Sequence, residues 1–311
     1  MKHAIIITSP GHQGTLERLT QEFSAIRLFA TDDRAAALKE AALEVRGLAH
    51  SGHALVDAAL MDALPKLEII ANFGVGVDQI DLEHAKKRGI IVTNTAGALN
   101  ECVADCAMGL VLNALRKFPQ AGAYLREGRW EKSNYPLTTS LGGKTLGILG
   151  LGRIGEEIAK RALAFGMKIR YHNRNRKNVP YAYDSDAVTL AKNSDVLLVI
   201  TPGGADTDKL VNAAVLDALG PQGYLVNVAR GSVVDEPVLL RYLQEKKIAG
   251  AGLDVFEREP KVPPEFFQLD NVVLTPHMAS ATNETRTAMG NLQVENLHLH
   301  FAGKPVKTRV A

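Results

Sequence analysis

Lys144-Thr145-Leu146-Gly147-Ile148-Leu149-Gly150-Leu151-Gly152-Arg153-Ile154-Gly155 decides how this chain folds. Leu146 to Leu149 is a short apolar run of the kind a buried parallel strand shows. It passes directly into Gly150-x-Gly152-x-x-Gly155 and then into a segment where Ile154, Ile158, Ala159, Ala162 and Leu163 repeat at helical period. Gly166 marks the stop. A helix that opens straight after a strand turns its unpaired N–H groups, and the positive end of its dipole, toward an anion. Gly150 suits the tight turn, Gly152 the approach of a pyrophosphate to the backbone, and Gly155 close helix–strand packing. A glycine-rich turn alone is common. Strand, glycines and helix in this order, followed by further alternation, point to a dinucleotide site.

Beyond Gly166 the alternation continues. Apolar runs at 168–171, 195–200, 224–228, 250–255 and 272–274 read as strands, with helical segments between most of them. This is the βαβ pattern of a doubly wound parallel sheet, whose ligands bind at the carboxyl ends of strands. Upstream, 4–8 reads as a strand and 15–23 as a helix, and pieces at 43–48, 56–63 and 67–71 continue an α/β region without a GxGxxG turn. It closes on Asn72-Phe73-Gly74-Val75-Gly76-Val77-Asp78, a strand end entering a glycine-bearing loop. That loop is either a plain turn or one whose amides hold a small anion. A short strand at 90–94 follows.

From Asn100 to Leu125 the spacing of Val103, Ala107, Leu110, Val111, Ala114, Leu115 and Phe118 predicts one long helix. It is apolar nearly all round, and so is expected to be buried between domains or against another subunit. Residues 133–143 read as a polar connector, and a last helix at 284–301 is expected to cross back to the first region. The fold class is therefore α/β, with two doubly wound, Rossmann-like domains built on parallel sheets. The cofactor domain (100–283) is inserted into the substrate domain (1–99 plus 284–311).

A length of 311 residues accommodates two such domains. The net charge of +2, with no long basic run, points away from nucleic acid and anionic membranes. Apolar runs fall short of the ~20 residues that span a bilayer. The start, Met1 to Ile7, lacks a secretory apolar region, which makes the cytoplasm the default location. Cys102 and Cys106 lie four apart in the helical stretch without further ligands nearby. They read as small apolar residues on one face, and no metal is expected.

An NAD site usually carries Asp or Glu about twenty residues past the glycines, to hold the ribose 2′-hydroxyl. Here that place is Tyr171-His172-Asn173-Arg174-Asn175-Arg176-Lys177, with three cations and no carboxylate. Arginine grips a 2′-phosphate through fork-shaped, charge-assisted hydrogen bonds that a carboxylate would oppose. The expected cofactor is NADP(H), with Arg174 and Arg176 on the phosphate, or Lys177 in place of one of them. A solvated basic loop is the plainer alternative.

Three polar residues follow strands in the second half: Arg230, Glu259 and His277. Reduction of a keto acid needs a hydride donor, a proton donor, and a cation to orient the acid and polarise the carbonyl. Histidine donates the proton when a neighbouring carboxylate favours its charged form, and arginine holds a carboxylate bidentately. Taken singly, each has a bland structural account: an ordinary ion pair, a surface acid beside Pro260, a satisfied histidine after a turn.

Together with Gly74-Val75-Gly76-Val77-Asp78, the GxGxxG turn, Asn227-Val228-Ala229-Arg230-Gly231, Asp254 through Glu259-Pro260, and Pro276-His277, the arrangement resembles the D-isomer-specific 2-hydroxyacid dehydrogenases. The resemblance covers nearly the entire chain. It implies a catalytic set of Arg230, Glu259 and His277, and a substrate site formed by Val75, Gly76 and Arg230. It also implies cofactor binding by Gly150, Gly152, Arg153, Ile154, Gly155, Asn173, Arg174, Arg176, Thr201, Pro202, Val228, Ala229 and Asp254. The missing acid resembles the NADPH-dependent glyoxylate/hydroxypyruvate reductase branch. The implied activity is NADPH-dependent reduction of a small 2-keto acid, glyoxylate or hydroxypyruvate, to the 2-hydroxy acid, the D-isomer where chiral. A bulkier substrate such as hydroxyphenylpyruvate is the alternative enzyme. A nucleotide-sensing corepressor is the non-enzymatic one; it would favour a long disordered extension, whereas this sequence ends at Ala311 soon after its last helix. A homodimer burying the helix from Asn100, with Trp130 near the boundary, completes the expectations.

Overall fold

The structure, a computed structural model, describes residues 2–52 and 54–311. The chain divides into two compact units, Met1–Leu99 with Ala281–Ala311, and Asn100–Ser280. The first unit runs β1 (Ala4–Ile7), α1 (Gln13–Glu22), β2 (Ser24–Arg27), α2 (Arg34–Ala41) and β3 (Val45–Ser51). It continues through α3 (Ala58–Asp62), β4 (Ile69–Phe73), α4 (Leu82–Lys87) and β5 (Ile91–Thr93). Among the described residues these strands form a five-stranded parallel sheet in the order β2-β1-β3-β4-β5.

Side chains leave a strand alternately to its two faces, and β1 shows it. Ile5 and Ile7 join a core with Leu19 of α1, and Ile6 joins the opposite core with Met61 and Ala85 of α3 and α4. The strand β2 and the helices α2 and α4 were not anticipated from sequence. Ser24–Arg27 is an edge strand with no buried residue, so it carries no apolar signal. α2 packs only Ala37, Leu38 and Ala41 against the core, too short and small-residued a stripe to stand out in sequence, and it starts on a cap, the Asp33 side chain accepting from the Ala36 amide.

The second unit opens with α5 (Asn100–Arg116) and α6 (Phe118–Arg126), then β6 (Thr145–Leu149), α7 (Arg153–Ala164), β7 (Lys168–His172) and β8 (Ala182–Tyr183). It continues through α8 (Ala187–Lys192), β9 (Val196–Val199), α9 (Ala213–Leu219), β10 (Tyr224–Asn227), α10 (Glu236–Gln244), β11 (Gly250–Leu253) and β12 (Val272–Leu274). Among the described residues these strands form a seven-stranded parallel sheet, β12-β11-β10-β9-β6-β7-β8. Helices α5 and α7 cover one face, meeting Leu146, Ile148, Val196 and Val226; α8, α9 and α10 cover the other, meeting Leu149, Leu197 and Leu225. The two-residue β8 escaped the sequence reading because it is too short for a pattern.

The expected single helix over 100–125 is a correction: α5 ends at Arg116, Lys117 takes the left-handed φ of 52°, and α6 begins anew. Pro119 explains the break. It has no N–H and clashes with the preceding turn inside a helix, yet fits the first turn of a new one, where it sits here. A smaller departure lies in α7. Ile158, Ala159 and Ala162 are fully buried, but Leu163, read as part of the same stripe, is half exposed. Finally α11 (Asn283–Phe301) belongs to the first unit. Its Val294 and Leu297 join the core of Ile5 and Ile69, and Gln293 Nε2 donates to the carbonyls of His50 and Ala71.

Candidate active site

The glycine turn is built as its spacing requires. Gly150 holds φ at 105°, and a β-carbon there would come within 2.8 Å of the Thr201 amide nitrogen. A β-carbon on Gly155 would stand 2.8 Å from the Gly150 carbonyl, whereas around Gly152 the space is open. Gly152 is the N-cap of α7 and supplies no side-chain cap, unlike Asp186 on α8 or Asp235 on α10. The first amides of α7, from Arg153, Ile154 and Gly155, are thus left for an anion. Beside the turn, the Thr201 hydroxyl is buried without a hydrogen-bond partner. Open backbone at Gly152, an uncapped helix and an orphaned hydroxyl together fit a dinucleotide.

Asn173 works on the turn rather than beyond it. Its Oδ1 accepts from the Leu151 amide at 2.6 Å and its Nδ2 donates to the Leu151 carbonyl at 3.1 Å, bracing the loop from the end of β7. The three cations that follow have distinct surroundings. Arg174 is 87% exposed and meets Asp206 at 3.3 Å, Arg176 lies over the Tyr183 ring, and Lys177 pairs with Glu156 of α7. Asp206 is a carboxylate that sequence reading missed, because it arrives from the turn after β9.

The candidate catalytic residues emerge from three adjacent strands in register, Asn227 opposite Leu253 and Leu253 opposite Leu274. After β10, Asn227 Oδ1 accepts from the Ala229 amide and Nδ2 donates to the Arg230 carbonyl, shaping a tight turn. Val228 and Ala229 are buried in it. Gly231 then touches the next loop so closely that a β-carbon would fall 1.9 Å from the Phe256 carbonyl carbon. After β11, Glu259 Oε1 accepts from the Phe256 amide at 3.0 Å, and Oε2 meets His277 Nδ1 at 2.6 Å. Glu259 is 14% exposed and His277 40%, so the acid is the shielded partner and the imidazole the accessible one.

Two further carboxyl groups hold these loops. Asp254, fully buried, accepts from the Thr275 hydroxyl and the Met278 amide on one oxygen and from the Ala279 amide on the other. Its backbone carbonyl accepts from the His277 amide. Asp254 was named from sequence among the cofactor-binding residues, and through these bonds it braces the His277 loop. Glu236, at the start of α10, accepts from the Glu257 amide at 3.0 Å, and burial pushes its carboxyl above the ordinary range. It escaped the sequence reading because a helix-start glutamate is commonplace. Pro202, after β9, accepts through its carbonyl from Thr207 Oγ1.

In the first unit the loop after β4 carries Val75 and Gly76. Asn72 Nδ2 donates to the Gly74 and Gly76 carbonyls at 3.1 and 2.8 Å, and Asn94 Nδ2 to the Val75 carbonyl at 3.0 Å. Thr95 engages both the amide and the carbonyl of Gly74. Three successive carbonyls are held in place, while the amides of Val75 and Gly76 meet no acceptor among the described residues. Such a loop can receive a carboxylate. Asn94 and Thr95 were not singled out from sequence, since nothing local distinguishes them from ordinary loop residues.

Cys106 lies on α5, and burial pushes its thiol up to about 12, leaving it inert. Cys102 donates to the Ala279 carbonyl. Among the described residues no cluster suited to a metal occurs, and no helix is long and apolar enough to cross a membrane.

Comparison with known proteins points to one family. Residues 108–279 match the family model described as D-isomer specific 2-hydroxyacid dehydrogenase, NAD binding domain. The chain is 46% identical over 295 residues to hydroxyphenylpyruvate reductase of Plectranthus scutellarioides, covering 94% of each. It is 46% identical over 293 residues to glyoxylate/hydroxypyruvate reductase A of Arabidopsis thaliana, again covering 94% of each. Among solved structures it resembles an NADPH-dependent glyoxylate/hydroxypyruvate reductase of Sinorhizobium meliloti in complex with NADP and malonate. The TM-score is 0.92 at 46% identity, with 100% of this chain and 97% of that one covered.

Proposed function

The chain belongs to the D-isomer specific 2-hydroxyacid dehydrogenase family, and from that premise we propose that it reduces a small 2-keto acid, glyoxylate or hydroxypyruvate, at the expense of NADPH. The observation that carries the proposal is the 2.6 Å pairing of His277 with the shielded Glu259 at the ends of adjacent strands, with Arg230 on the next. Bound NADPH supplies the hydride. Arg230 holds the substrate carboxylate and polarises the keto oxygen, together with the amides of Val75 and Gly76. His277 gives the proton to that oxygen through Nε2, while Glu259 holds Nδ1 and orients the ring. The product is the D-hydroxy acid where chiral.

Arg174 and Arg176 support NADPH over NADH, in a stretch without a carboxylate of its own. Two charged contacts of about 1.5–3 kcal/mol each imply about 100-fold discrimination or more. Hydroxyphenylpyruvate is the second substrate reading, favoured by the plant relative of that name. The homodimer, expected from sequence to bury the helix from Asn100, is proposed instead through α6 and the residues after it, because the apolar side chains of α5 are buried in the core of its own unit; the cytoplasm completes the proposal.

The test is steady-state NADPH oxidation on a panel of keto acids. Turnover highest with glyoxylate or hydroxypyruvate is the expected result; highest turnover with hydroxyphenylpyruvate replaces the substrate, and no turnover with any keto acid removes the function. In the same assay, the Arg174→Ala, Arg176→Ala variant is expected to lose most of its kcat/KM advantage for NADPH over NADH. An unchanged ratio takes both arginines out of the phosphate site.

A further inference from the structure

The loop bearing Val75 and Gly76 is held from a distance, by a segment more than two hundred residues away in sequence. Asn296 of α11 is fully buried. Its Oδ1 accepts from the Lys307 amide and its Nδ2 donates to Thr308 Oγ1, both at 2.9 Å. Thr308 Oγ1 in turn donates to the Asn94 carbonyl, and the Thr308 carbonyl accepts from the Asn94 amide at 3.1 Å. Asn94 is thereby gripped on both backbone groups. Its side chain is engaged at both ends as well, Oδ1 accepting from the Ala96 amide and Nδ2 donating to the Val75 carbonyl. A continuous line of hydrogen bonds thus runs from the core of the first unit, through Thr308, to the peptide that carries the Gly76 amide.

On the footing of the keto-acid reductase function above, we propose that the segment around Thr308 is a strap that positions the carboxylate-binding loop through Asn94. The physics is that of preorganisation. An amide pair receives a carboxylate well only if its direction is set beforehand, since ordering a free loop opposes binding. A glycine-flanked loop is otherwise mobile, with Gly74 at a φ of 145°. Turning the Val75 carbonyl inward fixes its peptide plane, and with it the Gly76 amide. Asn72 does the same for the Gly74 and Gly76 carbonyls from inside β4. Asn72 is local to the loop, whereas the Asn94 contact depends on a residue 214 positions away. Asn94 and Thr308 are positioning residues: they act on the substrate through Val75 and Gly76, and not on the cofactor turn, which lies in the other unit.

Thr308→Val is the discriminating variant, because it keeps the shape and removes only the hydroxyl that links Asn296 to Asn94. It is expected to raise KM for glyoxylate by about tenfold, the worth of roughly one or two lost hydrogen bonds. The value of kcat should stay within about threefold, the NADPH dissociation constant should be unchanged, and Thr308→Ser should restore KM. Asn94→Ala is expected to act in the same direction. Amide hydrogen exchange supplies a readout independent of turnover: exchange over 72–78 should quicken in Thr308→Val while exchange in 145–165 stays as in the wild type. Unaltered exchange over 72–78 overturns the strap whatever the kinetics. So does an unaltered KM, or a KM that rises only together with weakened NADPH binding. Absence of turnover with keto acids in the wild type removes the reductase function instead, and the exchange comparison then still decides whether the strap exists.

Discussion

His277 sits in the left-handed backbone region with φ of 50°, a conformation that costs a residue with a β-carbon about 1 kcal/mol or more. Asp254 compensates through three hydrogen bonds to the segment 275–279, and its backbone carbonyl takes the His277 amide. Pro276, with its fixed φ, pointed from the sequence to a turn at this place. The direction of the imidazole, however, is set by Asp254 and Glu259. Removing that imidazole is expected to slow keto-acid reduction by roughly 10²–10⁴-fold in His277→Ala, the usual worth of a positioned acid. NADPH binding should survive, since the glycine turn and the arginines belong to other loops. Near wild-type turnover in stopped-flow reduction would mean that another group or water delivers the proton.

At the scale of elements, glycine and proline outweigh hydrophobic period. Pro119 divides an apolar stretch that periodicity alone reads as continuous, and Gly150 turns β6 into α7 where no other residue clears the Thr201 amide. The strand β3 shows a different competition. It carries His50, 1% exposed, whose Nδ1 meets the Thr8 hydroxyl at 3.0 Å, and burial lowers its pKa from 6.5 to about 4. The unfolded chain therefore binds a proton that the folded one refuses between those values. Stability falls as pH drops from 6.5 toward 4, by roughly 3 kcal/mol in full, and is unaffected by this group above that window. His50→Gln should flatten the pH dependence of urea unfolding of the first unit over pH 6.5 to 4. If wild type and variant run parallel across that range, His50 is not the group responsible.

For the whole molecule, apolar surface remains to be accounted for. Along α6 and the residues after it, Phe118, Leu125, Trp130 and Leu137 are exposed by 49, 58, 63 and 101%. Tyr124, Leu125, Trp130 and Tyr135 line a hollow of about 230 Å³. Exposed apolar side chains around such a hollow mark an interaction site, and in the proposed homodimer a second copy of the chain covers it. Sedimentation velocity at micromolar concentration is expected to show a dimer, and Leu125→Glu a monomer with its circular dichroism unchanged. A wild-type monomer at that concentration would exclude the arrangement.

From sequence alone this protein's family, its two doubly wound sheets and the glycine turn could be read, and Arg230, Glu259 and His277 could be placed just past strand ends. Each is carried by a short local signal: an apolar run, a spacing of glycines, a polar residue just past a strand. What only the tertiary structure decided is which groups hold those residues in place. Asp254 braces the His277 loop, Asn173 holds the Leu151 peptide, Asp206 reaches Arg174, and Thr308 reaches Asn94. Periodicity along a chain encodes which side of an element is apolar. It does not encode which hydrogen-bonding groups two distant strand ends present to each other, because sheet order and register bring those together only once the core has formed.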